Sequence, residues 1–162
     1  MGKYTNLFEK SFAKYNKSKY CLATSSGTSS LEIILKSMNI NNNDEVIVPS
    51  HTFIATASAV MNVGAIPIFC DIDENFLLDF NKLDKMINKK TKAVIIVHFG
   101  GLIHQEIFKI KKYLSNKNIF LIEDSSHAHG ATINNLKAGN LSDASAFSLY
   151  SSKIITTGEG GL

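Results

Sequence analysis

At 162 residues, with 44% apolar and 19% charged residues, the chain has the composition of one globular domain with a sizeable core. Its net charge is only +3, and its 17 basic residues are lysines scattered along the chain, which argues against nucleic acid as a partner. Because the sequence contains no arginine, an anion site would have to use backbone N–H groups, hydroxyls and lysine.

Neither a metal site nor a membrane span is predicted. Cys21 and Cys70 fit no metal-binding spacing and are interpreted as reduced thiols in predicted strands. The N-terminus lacks a signal-peptide core, and no apolar run reaches the roughly 18 residues that a membrane span needs. We therefore expect a cytoplasmic protein, not bound to a membrane, with a single domain over residues 1–162.

Helices and strands alternate along the chain. Helical spacing of apolar residues predicts helices over residues 7–15, 28–38, 50–61, 79–88 and 107–114. Short apolar runs predict strands over residues 20–23, 44–49, 65–71, 91–97, 119–122 and 144–150. Most of these strands are apolar throughout, which predicts an α/β fold with a mainly parallel sheet and flanking helices.

Candidate functional residues follow the predicted strands, where ligands bind in parallel sheets. Lys153 lies among small residues, where partial desolvation would free its amine to attack a carbonyl, although a solvated loop lysine is the alternative. Asp124 ends a buried strand and could either cap a helix or hold a ring nitrogen protonated. Gly27 and Thr28 open a helix and could bind an anion or belong to an ordinary N-cap. Together these residues could form a pyridoxal phosphate (PLP) site.

Seven sequence motifs make the interpretation more specific. In chain order they are Ser26-Gly-Thr-Ser-Ser-Leu31, Pro49-Ser-His-Thr-Phe53-Ile-Ala-Thr56, Gly64-Ala-Ile-Pro67 with Asp71-Ile-Asp73, His98-Phe-Gly-Gly101, Ile122-Glu-Asp-Ser-Ser-His-Ala-His-Gly130, Gly139 with Asp143, and Phe147-Ser-Leu-Tyr-Ser-Ser-Lys153 with Gly158-Glu-Gly-Gly161. With these motifs the chain, from Leu7 onward, resembles the DegT/DnrJ/EryC1/StrS family of PLP-dependent sugar aminotransferases of fold type I.

The resemblance implies a role for each residue around the cofactor. Lys153 would bind PLP covalently and move the proton between the Cα of the amino donor and the C4′ carbon of the cofactor. Asp124 would pair with the pyridinium nitrogen. The N–H groups of Gly27 and Thr28, together with the hydroxyl of Ser148, would hold the phosphate.

Three further residues are assigned to the cofactor ring by the same resemblance. Phe53 would stack on one face, and Ser126 would lie under the other, where the family usually has alanine. His127 would stand near the phenolic oxygen, where many members have glutamine. A lysine at position 153 argues against the dehydratase branch of the family, which has histidine there.

The implied reaction transfers an amino group from glutamate to a nucleotide-linked keto sugar, in a homodimer with shared sites. Family members are several hundred residues long. We therefore expect an incomplete large domain that ends before a small domain and before an antiparallel strand between the lysine-side strand and the first strand. We also expect the isolated chain to be poorly active. Two alternatives stay open: another fold type I enzyme, such as a lyase, aldolase or desulfurase, and a non-catalytic remnant or half of a split enzyme.

Overall fold

The computed structural model describes residues 2–162 and has the predicted alternation of helices and strands. The strands are β1 Glu45–Pro49, β2 Ile66–Cys70, β3 Thr91–Val97, β4 Phe120–Asp124, β5 Thr132–Ile133, β6 Leu136–Lys137 and β7 Ala144–Ala146. The helices are α1 Lys3–Asn16, α2 Gly27–Ser37, α3 Ala55–Asn62, α4 Phe80–Met86 and α5 Ile107–Ser115, with a 3₁₀ turn at Phe99–Gly101. Five strands form one parallel sheet in the order β2-β1-β3-β4-β7, which confirms the predicted α/β class.

The sheet is central because helices cover both of its faces. Successive residues of β3 point to opposite sides, so that Val94 and Ile96 pack with α4 and α5, whereas Ile95 packs with α2 and α3. Ala57 and Ala59 of α3 are buried, and their small size lets this helix lie close to α2 and the sheet. Within residues 2–162, none of the helices has both the length and the hydropathy of a membrane span.

Two predicted elements differ from the structure near the first strands. The helix predicted from residue 50 begins only at Ala55, because the N–H of Ser50 still bonds the Cys70 carbonyl at 2.7 Å and extends the strand pairing. Residues 20–23 form no strand, so the placement of Cys21 in a strand was wrong. The N–H of Ala23 instead donates to the Glu9 carboxylate at 2.8 Å, and the extended segment reaches a single bridge one residue later.

The last predicted strand is also shorter than expected. After β7, the backbone turns to pair with the end of the described chain, and Phe147 and Leu162 exchange two hydrogen bonds of 2.9 and 3.0 Å. Gly161 bridges Thr24 on one side and Ser148 on the other, both in antiparallel orientation. Residues 160–162 therefore lie between the lysine-side segment and the first extended segment, where the resemblance places the antiparallel strand.

Candidate active site

A cavity of about 450 Å³ opens at the carboxyl ends of β3, β4 and β7. Every residue with a predicted cofactor role lines this cavity: Gly27, Thr28, Phe53, Asp124, Ser126, His127, Ser148 and Lys153. They converge because these strands are neighbours in a parallel sheet and end at the same edge. The remaining wall includes Tyr150, Ser152 and Glu159, which sequence reasoning did not single out.

The N-terminus of α2 forms one wall of the cavity and has an ordinary N-cap. Ser26 is the N-cap, and its hydroxyl accepts a hydrogen bond from the N–H of Ser29 at 3.1 Å. The N–H groups of Gly27 and Thr28, in the first turn, have no acceptor within the helix and remain available to an anion. A Cβ on Gly27 would lie 3.0 Å from the Cβ of Ser148, so glycine allows the helix to start close beside this hydroxyl.

The carboxylate of Asp124 is almost fully buried and is held by two donors. Its Oδ2 accepts from the hydroxyl of Thr56 at 2.8 Å, and its Oδ1 accepts from the N–H of Ser126 at 3.2 Å. Residues 125–131 form turns and no helix, so Asp124 does not cap a helix. The hydroxyl of Thr56 also lies 2.9 Å from that of Thr52, which adds a second hydroxyl to the chain of contacts. This arrangement fixes a carboxylate at the cavity wall, ready for a cationic partner.

Glu123, the neighbour of Asp124, is fully buried and accepts four hydrogen bonds. Its Oε1 accepts from Leu141 N at 2.9 Å and Ser142 Oγ at 2.8 Å. Its Oε2 is bonded to Gly139 N at 2.7 Å and His98 Nε2 at 2.9 Å. Burial alone would raise the pKa of Glu123, but these donors outweigh it and hold the pKa below its ordinary value. The carboxylate thereby ties two loops to β4 beside the cavity.

His127 and Lys153 face each other closely enough to interact electrostatically. The pKa of His127 is lowered, first by burial and then by the positive charge of Lys153, while Asp124 partly opposes the change. The imidazole is therefore predominantly neutral at pH 7. Its Nδ1 is 3.4 Å from the N–H of Gly100, which makes Nδ1 an acceptor and assigns the proton to Nε2. Lys153 itself is half-buried in the cavity wall and not a fully solvated loop lysine.

Sequence reasoning gave Thr56 no role, although it lies within one of the seven motifs. The residue is fully buried in α3, and its hydroxyl donates to the carboxylate of Asp124 at the end of β4. A hydroxyl in the first turn of a helix of mostly small residues was the available signal, because a buried hydroxyl needs a partner.

Comparison with known proteins places the chain in a family. The model of the DegT/DnrJ/EryC1/StrS aminotransferase family matches residues 1–162. The chain belongs to this family. It is 42% identical over 163 aligned positions to a GDP-perosamine synthase from Caulobacter vibrioides, covering all of this chain and 44% of that protein.

Solved structures of aminotransferases have the same fold as the chain. An aminotransferase from Psychrobacter cryohalolentis is 36% identical with a TM-score of 0.95, over 99% of this chain and 41% of that one. A Streptococcus pneumoniae protein assigned as a sugar aminotransferase, in its PLP-form, is 31% identical with a TM-score of 0.93, over 99% of this chain and 45% of that one. The chain thus spans less than half the length of the family members it matches.

Proposed function

We propose that the chain is the PLP-binding part of an aminotransferase that takes an amino group from glutamate and places it on a nucleotide-linked keto sugar. One observation carries the proposal: the amine of Lys153, the carboxylate of Asp124 and the N-terminus of α2 line the same cavity. The names of similar proteins support it, since they include GDP-perosamine synthases and a sugar aminotransferase in its PLP-form.

The donor set fits the phosphate of PLP. Two free N–H groups, on Gly27 and Thr28, and the hydroxyl of Ser148 can accept a dianion without an arginine, and the partial positive charge of the helix N-terminus favours it. The close approach of Gly27 to Ser148 places these donors side by side. A phosphate bound there leaves the rest of the cavity for a ring.

The remaining wall fits the ring of PLP. Asp124, held by Thr56, would pair with the pyridinium nitrogen, and Phe53 and Ser126 would cover its two faces. His127 would donate from Nε2 to the phenolic oxygen, because its Nδ1 already accepts from Gly100. When bound, PLP supplies an electron sink that stabilises negative charge on the Cα of the amino donor.

Lys153 has two tasks in the proposed reaction. Its Nζ would form the covalent link to the cofactor, which the amine of the donor would displace. The released lysine amine would then move the proton between Cα of the donor and the C4′ carbon, first as a base and then as an acid. The neutral His127 beside Lys153 adds no positive charge that would repel a protonated lysine.

Visible absorption with added PLP tests cofactor binding by the purified chain. We expect a yellow band that Lys153→Ala abolishes, and we expect borohydride to bleach this band while attaching the cofactor permanently to the protein. Lys92→Ala is the matched control, because Lys92 is exposed near the start of β3, at the opposite edge of the sheet. An equal yellow band in Lys153→Ala, with equal attachment of the cofactor after borohydride, would contradict the assigned role.

The amino donor is tested by a half-reaction that needs no sugar. Because the isolated chain is expected to be poorly active, we expect excess glutamate to bleach the yellow band of the PLP-loaded chain only slowly, with 2-oxoglutarate as the product. Added nucleotide-linked keto sugar should then restore the band. Cleavage of an amino acid without transfer of its amine would favour the lyase or aldolase alternative, and no reaction with any amino acid would favour the remnant or split-enzyme alternative.

We also propose that the chain acts as a homodimer. Phe53 and Ile54, beside the cavity, are 73% and 66% exposed, and a second copy could cover these apolar side chains. Sedimentation equilibrium of the chain tests this, and a monomer at all concentrations would contradict it.

A further inference from the structure

We infer that a row of four aromatic rings beside the cavity binds the base of the nucleotide-linked acceptor, an inference that rests on the proposed function. The aromatic row consists of Phe76, His51, Phe99 and His127. Ring centroids are 5.3 Å apart between His51 and Phe76, and 4.6 Å apart between His51 and Phe99. Phe99 and His127 follow at 5.9 Å. Phe76 and Phe99 are also 6.1 Å apart, so these two rings and His51 form a compact group that His127 adjoins.

The aromatic row follows the strand order of the sheet. Phe76 comes from the loop after β2, His51 from the turn after β1, Phe99 from the turn after β3 and His127 from the turn after β4. These strands are consecutive in the sheet, which brings the four rings together at its carboxyl edge. One end, His127, lies in the cavity wall, whereas the other end, Phe76, is 53% exposed.

The backbone at Phe76 is strained in order to present this ring. Its φ is +62°, in the left-handed region that a bulky side chain rarely adopts. The carboxylate of Asp73 holds the turn by accepting from Asn75 N at 2.8 Å and Leu77 N at 3.0 Å. The strain does not serve the core, because half of the Phe76 side chain is exposed. Strained residues that the surrounding structure enforces cluster at ligand-binding sites.

Exposed aromatic faces suit a nucleobase, which stacks on them without needing specific hydrogen bonds. Phe76 lies 6.1 Å from Phe99, which lies 5.9 Å from His127, so the two outer rings are at most about 12 Å apart. The acceptor needs such a separation, because its base is joined to the reacting sugar through ribose and phosphates. With the sugar near Lys153, the aromatic row leads from His127 in the cavity wall to the exposed Phe76, and the base can stack along it.

Binding of GDP to the purified chain, observed by saturation-transfer NMR, tests this inference. We expect transfer to the guanine proton to exceed transfer to the ribose protons, and no binding of ribose 5-phosphate, which has no base. Phe99→Leu keeps an apolar side chain but removes the central ring, and should raise the Kd for GDP at least about fivefold. Phe120→Leu is the matched control, because Phe120 is 40% exposed at the opposite edge of the sheet, and its Kd should not change.

Phe76→Asn separates binding from folding. Asparagine accepts the left-handed backbone more readily than phenylalanine, so the variant should unfold at the same temperature or higher. We nevertheless expect weaker GDP binding, because the outermost ring is gone. A purely structural ring would give the opposite pattern, namely lower stability and unchanged binding.

The inference is overturned if GDP does not bind, or if Phe99→Leu binds it as tightly as the unmodified chain. It is also overturned if the row is covered by a second copy, in which case Phe99→Leu would dissociate a dimer in sedimentation. The NMR titration is run without PLP and repeated with Lys153→Ala. If GDP binds but no Lys153-dependent absorption band forms with PLP, only the proposed function is refuted. If the absorption band forms but GDP does not bind, only the role of the aromatic row is refuted.

Discussion

Glu123→Gln is the substitution whose effect the geometry specifies most closely. Both oxygens of the buried carboxylate act as acceptors, two donors for each. Glutamine has the same shape but only one oxygen, so whichever way the amide is turned, its NH₂ group faces the backbone N–H of Leu141 or of Gly139, which can only donate. At least one hydrogen bond to a charged group is lost, at about 1.5–3 kcal/mol. We expect the free energy of unfolding to fall by about 1.5–3 kcal/mol, a substantial part of the roughly 5–15 kcal/mol typical of a domain.

Urea unfolding followed by circular dichroism measures this loss. Ser142→Ala is the graded control, because it removes a single donor and leaves Leu141 N on the same oxygen, and should cost about 1 kcal/mol. A loss of less than about 1 kcal/mol in Glu123→Gln would refute the reasoning, since it would mean that the four bonds contribute almost nothing beyond hydration.

The pH dependence of stability, compared between the unmodified chain and Glu123→Gln, provides a second check. The folded-state pKa of Glu123 lies below the ordinary value of 4.5. Its contribution to stability is therefore fully present above that pH and is lost as the pH falls through the folded-state pKa. We expect the stability gap between the unmodified chain and Glu123→Gln to be constant above about pH 5 and to shrink in more acidic solution. A gap that stays constant down to pH 2 would contradict the assignment.

Three other substitutions test the site and the fold. Gly27→Ala should weaken binding of PLP, because the added Cβ pushes α2 away from Ser148. Binding of pyridoxal, which lacks the phosphate, should not change, and equal weakening of both in absorbance titrations would contradict this. Thr56→Val should weaken PLP binding or stability by about 1.5–3 kcal/mol through the lost bond to Asp124, whereas Thr56→Ser should keep both. Gly161→Ala should lower the Tm, since its Cβ would overlap the turn before α2, and an unchanged Tm would argue against the antiparallel pairing.

The sequence predicts the convergence at the cavity because it depends on strand ends. Asp124 ends the buried strand β4, and Lys153 follows a predicted strand of which Ala144–Ala146 forms. Parallel strands bring their carboxyl ends to one edge. The position of each residue relative to a strand is local information. This is why all eight residues that the sequence suggested line one cavity.

What the sequence could not predict depends on contacts between distant segments. The bond from Thr56 to Asp124 joins residues 68 positions apart and requires the order of β1, β3 and β4 in the sheet. Residues 20–23 have the local pattern of a strand, but a strand needs a neighbour, and the carboxylate of Glu9 takes the N–H of Ala23 instead. Local pattern gives the tendency to form an element, and tertiary contacts decide whether it forms.

The end of β4 performs two tasks because consecutive residues of a strand point to opposite faces. Asp124 turns toward α3 and the cavity, while Glu123 turns to the other face and holds His98, the residue before Phe99. The same strand end therefore positions the proposed partner of the pyridinium nitrogen and the central ring of the aromatic row. Loosening Glu123 should shift both, so Glu123→Gln should weaken PLP and GDP binding together, whereas Phe99→Leu should weaken only GDP binding. Parallel loss in Phe99→Leu would mean that the row supports the cofactor site and not the base.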